Sequence, residues 1–430
     1  FKKRLGVLTA IAVMAALVPA LSVSSASAAV AAIPVAPVSG ALFSACPGTS
    51  APAAGFTDTT STDVDCIKMH GITTGVTATT YEPASNIPRW QMALYLTRFA
   101  TAAGVTLGSG ADQGFTDISG YSAAIQTAIN QIKQLGVTTG TTATTYSPDD
   151  NVTNEQMAMF VERMLGKTVA GPGGHDANAT YSGLIGTTST LTYNYGDIDT
   201  GGVTFEGHNA IAEIYHLGIP GHAKTVTSFS PAAAITRADM ATWMTNALAH
   251  TNARPAGVWT QITGATANTP FGTKAMTLHV SHRDANRAAV PGTLIDAFSD
   301  LTAANTDPFS ATTGLCTGNV IQRGNSNTAC QVDLGDSSTD LYGNLGQVVR
   351  TTGATPTGLA GGTINAATTT TYWAHTGAVG TKYNNLTAPG NSVSRSQLTA
   401  ATALVIGTTI PTYNKNSTVD TEYDLVPYGT

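Results

Sequence analysis

The chain has 430 residues, only 11% of them charged, and a net charge of −6 at pH 7. That balance excludes a nucleic-acid binder, which needs clustered Lys and Arg against phosphates, and the 42% of apolar residues excludes disorder as the default. The length suggests about three domains.

Residues 1–28 read as a secretory signal peptide: Lys2-Lys3-Arg4, an apolar run from Leu5 to Leu21, then Ala26-Ser27-Ala28 before the cleavage point. A retained membrane anchor is the competing reading, but the run is short and rich in small residues. No later stretch approaches the roughly 20 apolar residues that span a bilayer. In an exported chain the four cysteines are expected to pair, and the close spacings favour Cys46 with Cys66 and Cys316 with Cys330, two other connectivities remaining open.

The stretch GITTGVTATTYEP from Gly71 returns as GVTTGTTATTYSP from Gly136, an offset of 136 − 71 = 65. Ile67, Gly75, Tyr81 and Met92 recur at the same offset as Ile132, Gly140, Tyr146 and Met157. A looser third copy opens at Tyr195-Gly196-Asp197 and closes with Phe229-Ser230-Pro231 and Ile235-Thr236-Arg237. A duplicated structural unit is therefore present in triplicate, over residues 46–110, 111–170 and 190–256, with an insertion at Gly171 to Ser189 before the third.

Each copy reads as helix, loop, helix. Ala124, Ile125, Ala128, Ile129, Ile132 and Leu135 fall at helical spacing, and Gly136 marks the stop. The second helix opens on Thr153 with Gln156 three residues on, a capping box; Thr236 with Asp239 is a weaker one, and Pro88 takes an early position in the first copy. Met92, Met157 and Met240 align, as do Tyr95, Phe160 and Trp243, and then Leu96, Val161 and Met244, which makes one core-facing stripe. A two-helix unit cannot cover that stripe alone, so the three copies are expected to pack together.

The aromatic-x-Asp start, the helix ending in Gly-Ile, the glycine-containing loop, the aromatic-x-Pro turn and FSPAAAITRADMATWM in the third copy together resemble the S-layer homology (SLH) domain of bacterial surface proteins. The resemblance implies an all-α pseudo-trimer whose grooves bind an anionic cell-wall polysaccharide, often a pyruvylated one. It also implies a secreted protein in the cell wall or S-layer, able to self-assemble in a lattice. Arg89 and Arg237 would be its cationic forks, each at a helix start where free backbone amides also favour an anion. Asp58, Asp117 and Asp197 are candidate sugar ligands or helix caps, and Gly75 and Gly140 would either let backbone approach a sugar or simply serve the geometry of a turn. Asn154 stands where the second copy should carry its arginine, which implies a weak or idle second groove; Gly218-Ile219-Pro220-Gly221 breaks the loop spacing of the third. Lys68 and Lys133 align as a solvated helix face. No cofactor is expected, calcium entering on family grounds alone.

Residues 257–430 turn to short alternating stretches: Met276, Leu278 and Val280 on one side of KAMTLHV, and Val332 and Leu334 in CQVDL. They read as an all-β, immunoglobulin-like sandwich module. Catalytic patterns are missing: there is no Gly-x-Ser-x-Gly elbow, no His-Glu-x-x-His pair and no phosphate loop, and His208, His216 and His222 read as polar groove or surface residues. YGDIDTGG reads as a turn rather than a calcium loop. The expected protein is no enzyme but a wall-anchored structural component with a β-rich outer module. The competing readings are an anchored adhesin and an anchored wall hydrolase.

Overall fold

A computed structural model describes residues 43–174, 191, 193–199, 201–223, 225–263, 276–300, 321–323, 331–349, 369–376 and 393–396. The signal segment, Cys316, Cys330, residues 175–189 and the side chains of Met276, Val332 and Leu334 lie outside the described residues.

Among the described residues six helices come first: α1 (Thr62–Met69), α2 (Arg89–Ala102), α3 (Ala123–Gln134), α4 (Asn154–Leu165), α5 (Phe205–His216) and α6 (Arg237–Ala249). They form three helix–loop–helix units, but the packed pairs are mixed: α2 lies on α3, α4 on α5, and α6 on α1. The extended segment before each second helix is bridged to its neighbours, Pro88 to Asn151, Thr153 to Ala234, and Thr236 back to Asn86. Unit 1 thus joins unit 2, unit 2 joins unit 3, and unit 3 returns to unit 1. The ring closes because every unit leaves an apolar stripe that only its neighbour can cover. Met92, Met157 and Met240 are all fully buried, with the aligned Tyr95, Phe160 and Trp243 beside them in one continuous cluster.

Local signals set the helix ends. Thr153 and Gln156 make the capping box in both directions, and the Thr236 hydroxyl accepts from the Asp239 amide. Pro88 sits at the N-cap of α2 with φ −69°, one residue ahead of the helix, where it has no amide to lose. No helix among the described residues is long and apolar enough to cross a membrane.

Cys46 and Cys66 are disulfide-bonded across a sequence separation of 20, with Cα atoms 5.8 Å apart. The bridge ties the entering segment to α1. Reduction is expected to cost about 3 kcal/mol by the loop-entropy argument. Urea unfolding with and without reductant measures it, and an unchanged midpoint would show that the bridge contributes nothing.

Two sheets follow. β1 (Gly257–Thr263), β2 (Met276–Arg283) and β6 (Asn344–Val349) form one antiparallel sheet in the order β1-β2-β6. The other has the order β4-β5-β3-β7-β8, with β3 (Leu294–Asp300), β4 (Ile321–Arg323), β5 (Gln331–Ser338), β7 (Thr369–Thr376) and β8 (Val393–Ser396). Ile262, Leu278 and Val280 of the first sheet share one buried cluster with Ile295 and Ala374 of the second, so the sheets face each other. The alternation read for Leu278 and Val280 is the strand period of two. The opposite face of β2 meets the helical half: Arg283 donates to the Asn252 carbonyl (2.9 Å), and the His279 ring lies 4.5 Å from that of Phe43.

Candidate functional site

Each unit opens on an aspartate whose carboxylate folds back onto the aromatic-x-Pro turn of the same unit. Asp58 accepts from the amides of Tyr81 (2.9 Å) and Glu82 (2.7 Å), Asp117 from Tyr146 (2.9 Å) and Ser147 (2.7 Å), and Asp197 from Phe229 (2.9 Å) and Ser230 (2.7 Å). Glu82, Ser147 and Ser230 take the left-handed conformation, with φ of 57°, 55° and 56°, which a non-glycine residue holds only when its surroundings fix it. Those amide bonds keep the Asp58 carboxyl below the usual carboxylate range. The aspartates therefore act as turn staples. They do not cap the first helices, whose N-caps are Ser61, Ser122 and Thr204.

Each stapled turn receives the first residue of another unit's second helix. Arg89 reaches from unit 1 into unit 2, where Nε donates to the Tyr146 carbonyl (2.7 Å), Nη1 to Gln156 Oε1 (3.0 Å), and the guanidinium lies 4.7 Å from the Tyr146 ring centroid. Arg237 reaches from unit 3 into unit 1 in the same way, to the Tyr81 carbonyl (2.5 Å), Gln91 Oε1 (3.1 Å) and the Tyr81 ring (4.7 Å). The tyrosines answer, Tyr146 Oη donating to the Arg89 carbonyl (2.9 Å) and Tyr81 Oη to the Arg237 carbonyl (2.8 Å). Asn154 makes the matching contact from unit 2 to unit 3, its amide reaching the carbonyls of Phe229 (3.3 Å) and Ser230 (3.1 Å). The one turn without a tyrosine hydroxyl is the one that receives no arginine.

This geometry corrects three expectations. The arginines are not open forks, because each is 3% exposed, with its Nε donating to a neighbouring turn and its Nη1 to a glutamine of the same neighbouring unit. The helix-start amides are not free either: Arg89 N and Trp90 N donate to the carbonyls of Asp150 and Pro148, and Arg237 N and Ala238 N to those of Ser85 and Pro83. Asn154 impoverishes the groove of unit 3, not that of unit 2, since helix starts serve the next unit in the ring. Gly75 and Gly140 have φ of 83° and 94°, and a Cβ there would come within 2.4 Å of Phe56 and 2.6 Å of Phe115, so turn geometry and ring packing account for both. Lys68 and Lys133 cover those same rings, at 5.0 and 3.8 Å from the centroids.

Between units 2 and 3 lies an open groove of about 830 Å³. Arg89, Gln156 and Phe160 form its base, the loop Thr138 to Thr141 with Gly140 one wall, and Arg163 with the start of α5 the other. Arg163 Nη2 is paired with Glu206 at 2.5 Å, and its Nη1 donates to the Val137 carbonyl (3.2 Å). Glu155 clamps the far wall, accepting from the Thr204 amide (2.7 Å) and hydroxyl (2.6 Å). Phe205, 50% exposed, adds an apolar ring to the lining. Guanidinium, hydroxyl and ring together suit a polyhydroxylated anion.

Comparison with protein families matches residues 114–158 to the S-layer homology domain. The chain carries an S-layer homology domain. The matched stretch contains Asp117, α3, the Gly140 loop, the Tyr146 turn and the first residues of α4, which is the stapled-turn unit just described. An S-layer homology domain associates a protein with the cell surface and its wall polysaccharide. No curated protein matches the chain.

The sequence reading missed Arg98, Arg163, Gln91 and Gln156 around this domain. A signal existed for the arginines, because Arg163 repeats Arg98 at the same offset, 163 − 98 = 65, and each stands nine residues into its helix count from Arg89 or Asn154. Nothing in the sequence announced Phe205 and Glu206, whose place in the groove comes from the mixed pairing of α4 with α5.

Proposed function

We propose that all three units act as S-layer homology repeats and dock the exported chain non-covalently on an anionic wall polysaccharide, with the β-rich half as an outer, immunoglobulin-like module of a surface layer. The observation that carries this reading is the open groove where Arg89 and Arg163 from different parts of the ring line one cavity. An arginine shared between units supports it further: Arg89 holds unit 1 to unit 2 and sets the charge of the groove floor. The reading requires no catalysis, and it places the protein outside the membrane after signal cleavage.

The full chain is expected to cosediment with purified cell walls and to stay in the supernatant once the wall polysaccharide has been stripped. Arg89→Gln, checked for fold by its melting curve, should weaken wall binding about tenfold or more, as loss of a charge-assisted contact implies. Equal sedimentation with stripped walls would refute polysaccharide docking.

A further inference from the structure

The segment that enters the helical ring touches both halves of the molecule within residues 43–46. Its first two residues face the β half. The Phe43 ring, 5% exposed, lies 4.5 Å from that of His279 on β2, and Ser44 exchanges two hydrogen bonds with the Gln261 side chain of β1, its amide donating at 2.7 Å and its carbonyl accepting at 3.1 Å. The next two face the ring. The Ala45 carbonyl lies 3.2 Å from Nε2 of His70, the C-cap of α1, and Cys46 is bridged to Cys66, one helical turn before that histidine. A short strap is thus pinned covalently to α1 at one end and laid on the β half at the other.

The surfaces it joins are poorly matched. His279, Ser281 and Arg283 alternate on the face of β2 opposite Leu278 and Val280, so a polar face of the sheet is turned to the ring. All three are buried. Arg283 is bonded to the Asn252 carbonyl, and the Asn344 amide adds a bond to Asn252 Oδ1 (3.0 Å), both in the connector between α6 and β1. In contrast, His279 Nε2, Ser281 Oγ and Nε of the fully buried Arg254 have no hydrogen-bond partner among the described residues. Each forfeits its hydration, which opening of this interface would restore. The ring has no such reason to open, because apolar stripes seal it.

We infer that residues 43–46 are a disulfide-anchored strap that locks the β half onto the helical ring, and that opening the Cys46–Cys66 bridge frees the β half while the ring stays folded. This coupling goes beyond wall docking and does not depend on it. Cys46 is half-buried whereas Cys66 is 1% exposed, so a thiol reductant reaches the Cys46 sulfur first. A dithiol gives two electrons to the bridge and leaves as its own disulfide, its two protons ending on the Cys46 and Cys66 sulfurs. Closure of the ring uses other residues, the bridges of Pro88 to Asn151, Thr153 to Ala234 and Thr236 to Asn86, and survives the loss of the strap.

Diethyl pyrocarbonate, which acylates neutral imidazole, reads the opening on the full chain at pH 7, each labelled histidine being located by peptide mass. In the parent chain His279 should be protected. Cys46→Ser, and separately Phe43→Ala with the bridge intact, should raise its labelling rate about tenfold or more, as loss of a buried ring or of its anchor implies. Dithiothreitol followed by alkylation and desalting should bring the parent to the level of Cys46→Ser. His250, 0% exposed and bonded to the Leu217 carbonyl (2.8 Å) within the helical half, should stay protected throughout. His279 labelling as slow in either variant as in the parent would overturn the strap. Labelling of His250 in step with His279 would show that the ring unfolds as well, and would overturn local release of the β half. Either failure leaves polysaccharide docking intact, which cosedimentation with walls decides separately.

Discussion

Replacing Glu162 by glutamine is expected to stabilise the protein at pH 8.5 and to change nothing near pH 4. Glu162 lies on α4 against α5, 4% exposed, and its Oε1 has no hydrogen-bond partner among the described residues. Burial pushes its pKa from 4.5 up to about 8, with Glu213 and Glu206 adding to the rise and Arg163 and Lys167 opposing it. Below pH 4.5 folded and unfolded chains both carry the proton. From there to about pH 8 the folded chain keeps a proton that the unfolded chain has lost, so stability falls as pH rises and levels off above. The full shift sets a ceiling of about 5 kcal/mol. Glutamine resembles the protonated acid and removes the titration, so a gain of about 2 kcal/mol or more is expected at pH 8.5 in urea unfolding. A variant whose stability tracks the parent at both pH values would show that Glu162 does not carry the proton.

Much of this ring was legible in the chain. The offset of 65 revealed the units, the Met and aromatic stripes gave the buried face, and Thr153 with Gln156 gave a helix start that forms as expected. What could not be read was connectivity between units. A sequence shows that Arg89 begins a helix, but only closure of the ring turns it toward Tyr146 and converts a surface fork into a buried joint. The same holds for Asp58, Asp117 and Asp197: an acid before a helix suggests a cap, whereas the partner here is a turn 23, 29 and 32 residues away that needs its left-handed residue pinned. Local pattern exposes what a residue does to its own helix, and long-range pairing decides the rest.

Acid should act on the opposite side of neutrality, through histidines buried where the helical and β halves meet. His279 of β2 is 1% exposed, and burial, with Arg254 and Arg283 nearby, lowers its pKa from 6.5 to about 3. His70, whose Nε2 lies 3.2 Å from the Ala45 carbonyl, is lowered to about 4, chiefly by burial, with Arg287 and Arg254 adding to it. Above pH 6.5 both states hold these rings neutral. Below it the unfolded chain takes up protons that the folded chain refuses, so stability is lost from pH 6.5 down toward the folded values. At pH 4 each ring withdraws up to about 3 kcal/mol. Combined with Glu162, this places the stability maximum close to pH 6.5, with a loss on either flank from a different part of the molecule. His279→Phe keeps a ring against Phe43 and removes the proton site, so it should flatten the acid limb while leaving the alkaline limb to Glu162. Chemical unfolding of both single variants and their combination from pH 4 to 8.5 measures the two limbs separately. An acid limb as steep in His279→Phe with His70→Gln as in the parent would assign acid lability to other groups.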